Sequence, residues 1–185
     1  MLARTLVRDE YIFTMDDVLT PQECDHFIQL TEGIGYVPAP ITTMMGPVHS
    51  PRTRNNTRVM VDDHDIAQGL WHRVGAAFEG RSGARAIGLN ERIRFYRYEV
   101  GQRFARHLDG HYRRNRYERS LYTFMVYLND DFGGGETTFF QHGDVIRPRK
   151  GMGIFFVHRQ LHEGAYVTRG RKYVLRTDVM FDLRP

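Results

Sequence analysis

A mainly β domain of the α+β class, with helices near the N-terminus and an all-β sandwich or jelly-roll core behind them, is the architecture the sequence predicts. Three observations lead to it. Short runs rich in Val, Ile, Phe, Tyr and Thr recur after Glu91, at 92–99, 121–128, 136–140, 153–158 and 172–181. Glycines at 101, 133–135, 143, 151 and 170 punctuate these runs as turn residues do. Two amphipathic segments precede them, and 185 residues suffice for one sizeable core and little more. Residues 1–185 are therefore expected to form one domain, with helical support over 20–80 and a β core over 91–182.

The first helix is expected over 20–35. Thr20-Pro21-Gln22-Glu23 reads as a capping box with proline at the first helical position, Cys24, Phe27 and Ile28 share a face, and Gly33 or Gly35 can end it. A second helix is expected over 63–78, because Ile66, Leu70, Val74 and Phe78 recur at intervals of four, with Gly80 as its C-cap. Both are read as packing elements rather than carriers of chemistry. Between them, 37–56 holds four prolines, the pair Met44-Met45, Arg52 and several Ser, Thr and Asn, a loop or lid composition. The order expected is helices first and β core second.

Composition excludes several classes. The longest apolar runs, such as 153–157, are far shorter than the roughly 20 residues that cross a bilayer, and no signal-peptide core opens the chain. A soluble, cytoplasmic protein without a membrane partner is expected. The single cysteine, Cys24, allows no internal disulfide and no Cys-based metal knuckle, so any metal must be held by histidines and carboxylates.

Nine histidines give several candidates for that role. His-x-Asp occurs twice, at 107–109 and 142–144, and residues two apart on a strand point to one face. The second copy contains Gly-Asp after a Thr-Thr-Phe-Phe run and reads as a hairpin turn. The first follows a Tyr-rich strand, 95–98, and has later histidines, His158 and His162, as possible third ligands. His162 is favoured because His162-Glu163-Gly164 leads across a turn to a cation, Lys172, on the next strand. Two histidines and one carboxylate form the facial triad that leaves positions open on non-haem Fe(II), and a lysine beside it suits the far carboxylate of a dicarboxylic cosubstrate.

Taken in order, these residues resemble the Fe(II)- and 2-oxoglutarate-dependent dioxygenases, specifically the prolyl 4-hydroxylase-like catalytic domain. The carriers are Phe95-Tyr96-Arg97-Tyr98 with Gly101, His107-x-Asp109, Tyr127-Leu128-Asn129 followed by Gly134-Gly135-Glu136-Thr137, Pro148 with Gly151, and His162-Glu163-Gly164 through Lys172 to Asp178. The resemblance extends from about Ile12 to Phe181. It implies a double-stranded β-helix core, with His107, Asp109 and His162 holding Fe(II), Lys172 pairing with 2-oxoglutarate, and Tyr98 and Tyr127 helping to hold that cosubstrate. It further implies hydroxylation with release of succinate and CO2, O2 as oxidant, and ascorbate as a candidate reductant. Because Asp109 is present, hydroxylation is expected rather than halogenation.

The substrate class implied is an amino-acid side chain, with proline in a protein or peptide, or a free amino acid, as the leading reading. A nucleic-acid alkyl demethylase and a non-enzymatic metal-binding jelly roll are the alternatives. Alternation along 172–181 puts Lys172, Val174, Arg176 and Asp178 on one face, so Arg176 is a candidate for orienting cosubstrate or substrate, and Arg94, on the face of Tyr98, for lining the entrance. The net charge of +4 is concentrated in 103–119, where six arginines meet only Asp109 and Glu118. That places Arg113, Arg114 and Arg116 as a possible attraction for an acidic substrate.

Overall fold

The computed structural model describes residues 2–43, 45–79 and 84–184. Strands β1 (Arg4–Arg8) and β2 (Ile12–Met15) come first, followed by helix α1 (Pro21–Ile34), strands β3 (Val37–Pro38), β4 (Ile41–Thr43), β5 (Gly46–Val48) and β6 (Thr57–Asp62), and helix α2 (His64–Val74). A 3-10 turn over Gly75–Phe78 extends α2. Strands β7 (Arg85–Leu89), β8 (Arg92–Tyr98), β9 (Phe104–His107), β10 (Glu118–Tyr127), β11 (Gly133–Gly134) and β12 (Thr137–Phe139) follow. The last five are β13 (Asp144–Ile146), β14 (Gly153–Val157), β15 (His162–Gly164), β16 (Val167–Arg169) and β17 (Lys172–Asp182).

The larger sheet runs β1-β2-β14-β10-β17-β8-β6-β3, with β7 also paired to β17, and the smaller runs β13-β12-β15-β9. The two close on each other as a double-stranded β-helix, and alternation along the central strands sorts the side chains. On β17, Tyr173, Leu175, Val179 and Phe181 join the core under the helices, whereas Val174 points into a second cluster between the sheets with Tyr96, Tyr127, Phe139, Ile154 and Phe156. In the first core Phe155 stacks between Phe13 and Phe124, with centroids 4.7 and 4.4 Å away. Each such ring contributes about 2–3 kcal/mol by leaving water.

The helices form where the capping residues place them. Thr20 N–H donates to Glu23 Oε2 at 2.8 Å while Glu23 N–H donates to Thr20 Oγ1 at 3.2 Å, and Gly35 ends α1 at φ 93°. Arg73 of α2 also binds the Glu23 carboxylate, at 2.5 and 2.9 Å, and ties the two helices together. Helix α2 starts at the cap Asp63 and ends at Gly75, not Gly80. Gly80 lies outside the described residues, as does Met44.

Two expectations need correction. Helices do not simply precede the β core: β2 is wholly buried beside β14, and β6 pairs with β8 in the same sheet, so strands flank both helices. Each run is short and mixed in polarity, so its strand character comes from its partner strand. Nor is 37–56 without regular structure, since β4 and β5 pair as a hairpin and β3 adds an edge to β6.

Gly151 fixes the turn into β14. It sits at φ 81°, and a Cβ there would lie 2.2 Å from the Leu19 carbonyl oxygen. Gly151→Ala therefore combines a left-handed backbone with a backbone clash, and is expected to cost about 3 kcal/mol or more. Equilibrium urea unfolding reads this, and a loss below about 1 kcal/mol would show that the turn relaxes freely.

Candidate active site

His107 ends β9 and His162 begins β15, and the two are paired directly across the smaller sheet with ring centroids 4.2 Å apart. Their Nδ1 atoms lie 2.8 Å from the carbonyl oxygens of Ala105 and Gln160. A carbonyl only accepts, so each Nδ1 carries the proton and each Nε2 presents its lone pair to the site. Asp109 lies past the end of β9 rather than on it, because Leu108 turns outward at 57% exposure. Its Oδ1 is 3.5 Å from His107 Nε2 and its Oδ2 is 3.8 Å from His162 Nε2, and one ligand atom from each residue falls within 4.8 Å of the others. Two neutral imidazoles and one carboxylate converging from one side suit Fe(II) and leave its other positions open.

The electrostatics match that use. Burial pushes the His162 imidazole down to about 4, so no proton competes for its lone pair near neutrality. Burial alone would raise the Asp109 carboxyl, yet Arg176 and the two histidines hold it well below the usual range. Arg176 Nη2 is 3.1 Å from Asp109 Oδ2 and 3.5 Å from Asp178 Oδ1, and Thr123 Oγ1 donates to the same Asp109 oxygen at 2.6 Å. That donation uses the only hydroxyl proton of Thr123, so His158 Nδ1, 3.1 Å away, donates to Thr123. His158 Nε2 then accepts from Ser120 at 2.9 Å. Both nitrogens of His158 are thus engaged behind Asp109, which explains why His162, not His158, joins the ligand cluster.

Lys172 opens β17 opposite Tyr98, and its amine is buried at 3% exposure. The amine donates to the Gly135 carbonyl at 2.5 Å, and burial pushes it down to about 7. Gly135, at φ 71°, permits this approach, since a Cβ there would sit 3.1 Å from Lys172 Cδ. A buried ammonium bound by one carbonyl still has two N–H donors, from which a carboxylate can accept. One cavity takes in Lys172, His107, Asp109 and His162, with Tyr98, Met125 and Thr137 on its wall.

The remaining sequence candidates are divided. Tyr98 lines the cavity, and its ring centre is 5.4 Å from Lys172 Nζ. Tyr127 packs 5.2 Å from the same amine, but its hydroxyl is taken by Thr137 at 2.6 Å. Arg94 pairs with Asp178 at 3.3 Å. Arg113, Arg114 and Arg116 line neither this cavity nor the neighbouring cleft, and Arg114 is occupied by Glu91 and Glu118. His142 and Asp144 belong to the β12–β13 hairpin, where Asp144 pairs with Arg8 at 2.9 Å. Met125 and Thr137 carry no chemical signature in the sequence and reach the cavity only through strand pairing.

A sequence profile of the 2OG-Fe(II) oxygenase superfamily matches residues 93–177, the stretch holding every residue of the cavity. Residues 93–177 are similar to that superfamily, and the match covers a little under half of the chain. A probable prolyl 4-hydroxylase 11 of Arabidopsis thaliana is 29% identical over 148 residues, 74% of this chain and 49% of the relative. The chain thus spans about half the length of that curated relative. In three dimensions it is similar to a viral collagen prolyl hydroxylase from Paramecium Bursaria Chlorella virus-1, solved as a 2OG complex. There the TM-score is 0.67 at 23% identity, over 92% of this chain and 96% of that one. A Trichoplax adhaerens prolyl hydroxylase, in complex with a hypoxia inducible factor peptide, superimposes with a TM-score of 0.71 at 18% identity, over 94% and 84%. Among the described residues, no helix is long and apolar enough to cross a membrane.

Proposed function

We propose that this oxygenase is an Fe(II)- and 2-oxoglutarate-dependent hydroxylase of an amino-acid side chain, in a peptide or as a free amino acid, with proline as the leading case. One observation carries the reading: the His107, Asp109 and His162 cluster shares its cavity with a buried lysine amine that, among the described residues, has no carboxylate within ion-pair distance. When bound, Fe(II) with 2-oxoglutarate and O2 supplies an oxidation in which one oxygen atom enters a substrate C–H bond and the other enters succinate, with CO2 released. His107 and His162 offer unprotonated Nε2 atoms, and their Nδ1 bonds to Ala105 and Gln160 fix both rings. Arg176 and Thr123 hold one oxygen of Asp109 and so orient the other. Lys172 binds the distal carboxylate of the cosubstrate, while Tyr98, Met125 and Val174 exclude water around its carbon chain.

Succinate formation from 2-oxoglutarate under O2 tests this directly. Wild-type protein is expected to form succinate only with Fe(II) added, and His107→Ala to form none. Equal succinate from the two proteins would end the reading. Under anaerobic conditions, Fe(II) and 2-oxoglutarate together should give a visible charge-transfer band that His107→Ala lacks.

A further inference from the structure

A second opening adjoins the ligand cluster. It is a cleft of ≈ 400 Å³ whose charged lining is Arg54, Arg58, Arg94, Arg176, Asp109 and Asp178. Both carboxylates are already taken: Arg94 holds Asp178 at 3.3 Å, and Arg176 holds Asp109 at 3.1 Å and Asp178 at 3.5 Å. Among the described residues, Arg54 and Arg58 have no carboxylate within ion-pair distance.

Arg54 is the more exceptional of the two. It is buried at 6% exposure, with its guanidinium between the rings of Tyr96 and Phe104 at 4.3 and 4.4 Å. Its Nε donates to Asn56 at 2.8 Å and its guanidinium also interacts with the hydroxyls of Tyr96 and Tyr98, but among the described residues its buried Nη2 has no acceptor. The backbone holds it there, through a bridge to Phe104 and a 2.7 Å bond from Ala105 N–H to Thr53 O. Arg58, half-buried on β6, is pushed down by burial and by Arg54, Arg94 and Arg92. The Tyr96 phenol records the same field, since burial opposes its ionisation and yet Arg54, Arg176 and Arg94 pull it down to about 8.

A buried guanidinium without a counter-ion is costly and persists where an anion repays the cost. Iron cannot be that partner, because it adds positive charge to the same cleft. The cosubstrate has its own cation, Lys172, in a cavity that neither Arg54 nor Arg58 lines. The remaining candidate is the molecule to be oxidised.

We propose that Arg54 and Arg58 form a carboxylate subsite, so that the substrate hydroxylated at this centre is an acid, anchored by its carboxylate with its side chain against Pro40, Ile41 and Leu108. The assignment deepens the hydroxylase reading above and rests on it. A ring-clamped guanidinium presents its N–H groups in one plane, which fits the two oxygens of a carboxylate. The apolar wall has the scale of a side chain. The anchor differs from that expected of Arg113, Arg114 and Arg116, which do not line the cleft.

Calorimetric titration of N-acetyl amino acids, including N-acetyl-L-proline, and of one acetylated tripeptide, each as free acid and as amide, tests the subsite. The titrations use metal-free and Mn(II)-loaded protein. At least one acid should bind about tenfold or more tightly than its amide. That preference should collapse in Arg54→Gln and in Arg58→Gln and survive in Lys172→Met, with thermal unfolding confirming that each variant folds. A preference seen in the amino acids assigns a small acid, and one seen in the tripeptide assigns a peptide C-terminus. No preference for any acid, a preference surviving both glutamine variants, its loss in Lys172→Met, or tighter binding of inorganic phosphate than of every acid would each overturn the proposal. Failure of Mn(II) to bind would instead sink the iron-site reading, while the metal-free titrations still decide the subsite.

Discussion

Asp109→Ala should lose its metal and weaken its fold in one step. The carboxylate is the anionic member of the ligand cluster and also the nearest counter-charge of Arg176, at 3.1 Å. Loss of groups that merely orient a ligand costs about 10–100-fold in metal affinity, so removing this ligand should cost at least about 100-fold. Competition of Mn(II) or Co(II) against a chelator measures that loss. Breaking a buried ion pair costs about 3–5 kcal/mol because the surviving charge is stranded, and the remaining Asp178 contact at 3.5 Å points to the lower end. Urea unfolding should therefore show metal-free Asp109→Ala to be less stable than metal-free wild type by about 3 kcal/mol. Unchanged metal affinity would remove Asp109 from the site. Unchanged stability would mean that Arg176 is satisfied without it.

Lys172→Met is expected to act in the opposite sense on stability while abolishing tight 2-oxoglutarate binding. The amine is pushed from its ordinary value down to about 7 by burial, so the unfolded chain binds its proton more strongly than the native chain does. The sign follows: the penalty is absent above the unfolded pKa of about 10.4, grows as pH falls, and is complete below about 7. Wild-type stability should rise relative to Lys172→Met between pH 7 and pH 10, about the window between those two values. The cosubstrate reverses the shift, because its carboxylate favours the charged amine. Binding should then take up little proton at about pH 6 and close to one proton at about pH 8.5, with affinity falling about tenfold per unit above 7. Calorimetry in buffers of different ionisation enthalpy counts those protons. Proton uptake of the same size in Lys172→Met would assign it to another group.

The parts of the site legible in the sequence share a property: each is a short local pattern. His107-x-Asp109 lies within three residues, and His162 is separated from Lys172 by one turn, so spacing and residue type suffice to nominate them. The core strands at 92–98 and 172–182 were legible for the same reason, as long β-branched and aromatic runs. The small strands β9, β13, β15 and β16, of three or four residues each, carry no such run, and only cross-strand pairing makes them strands. Arg54 illustrates the gap within the site itself. It stands in a proline-rich stretch beside Arg52, and nothing local distinguishes it from a surface arginine.

By itself, then, the sequence determined which residue types the site brings together: a two-histidine, one-carboxylate cluster, a lysine on the strand that follows, and a glycine-punctuated β framework. Tertiary structure decided which charges are spent and which are free. Arg176 and Arg94 are committed to Asp109 and Asp178, Arg113, Arg114 and Arg116 do not line the cleft, and among the described residues Arg54 and Arg58 have no carboxylate within ion-pair distance. The physical reason is that residue type is local, whereas the meaning of a charge depends on its neighbours within a few ångströms. Those neighbours come from β6, β8, β9 and β17, brought together only by strand register and closure of the two sheets.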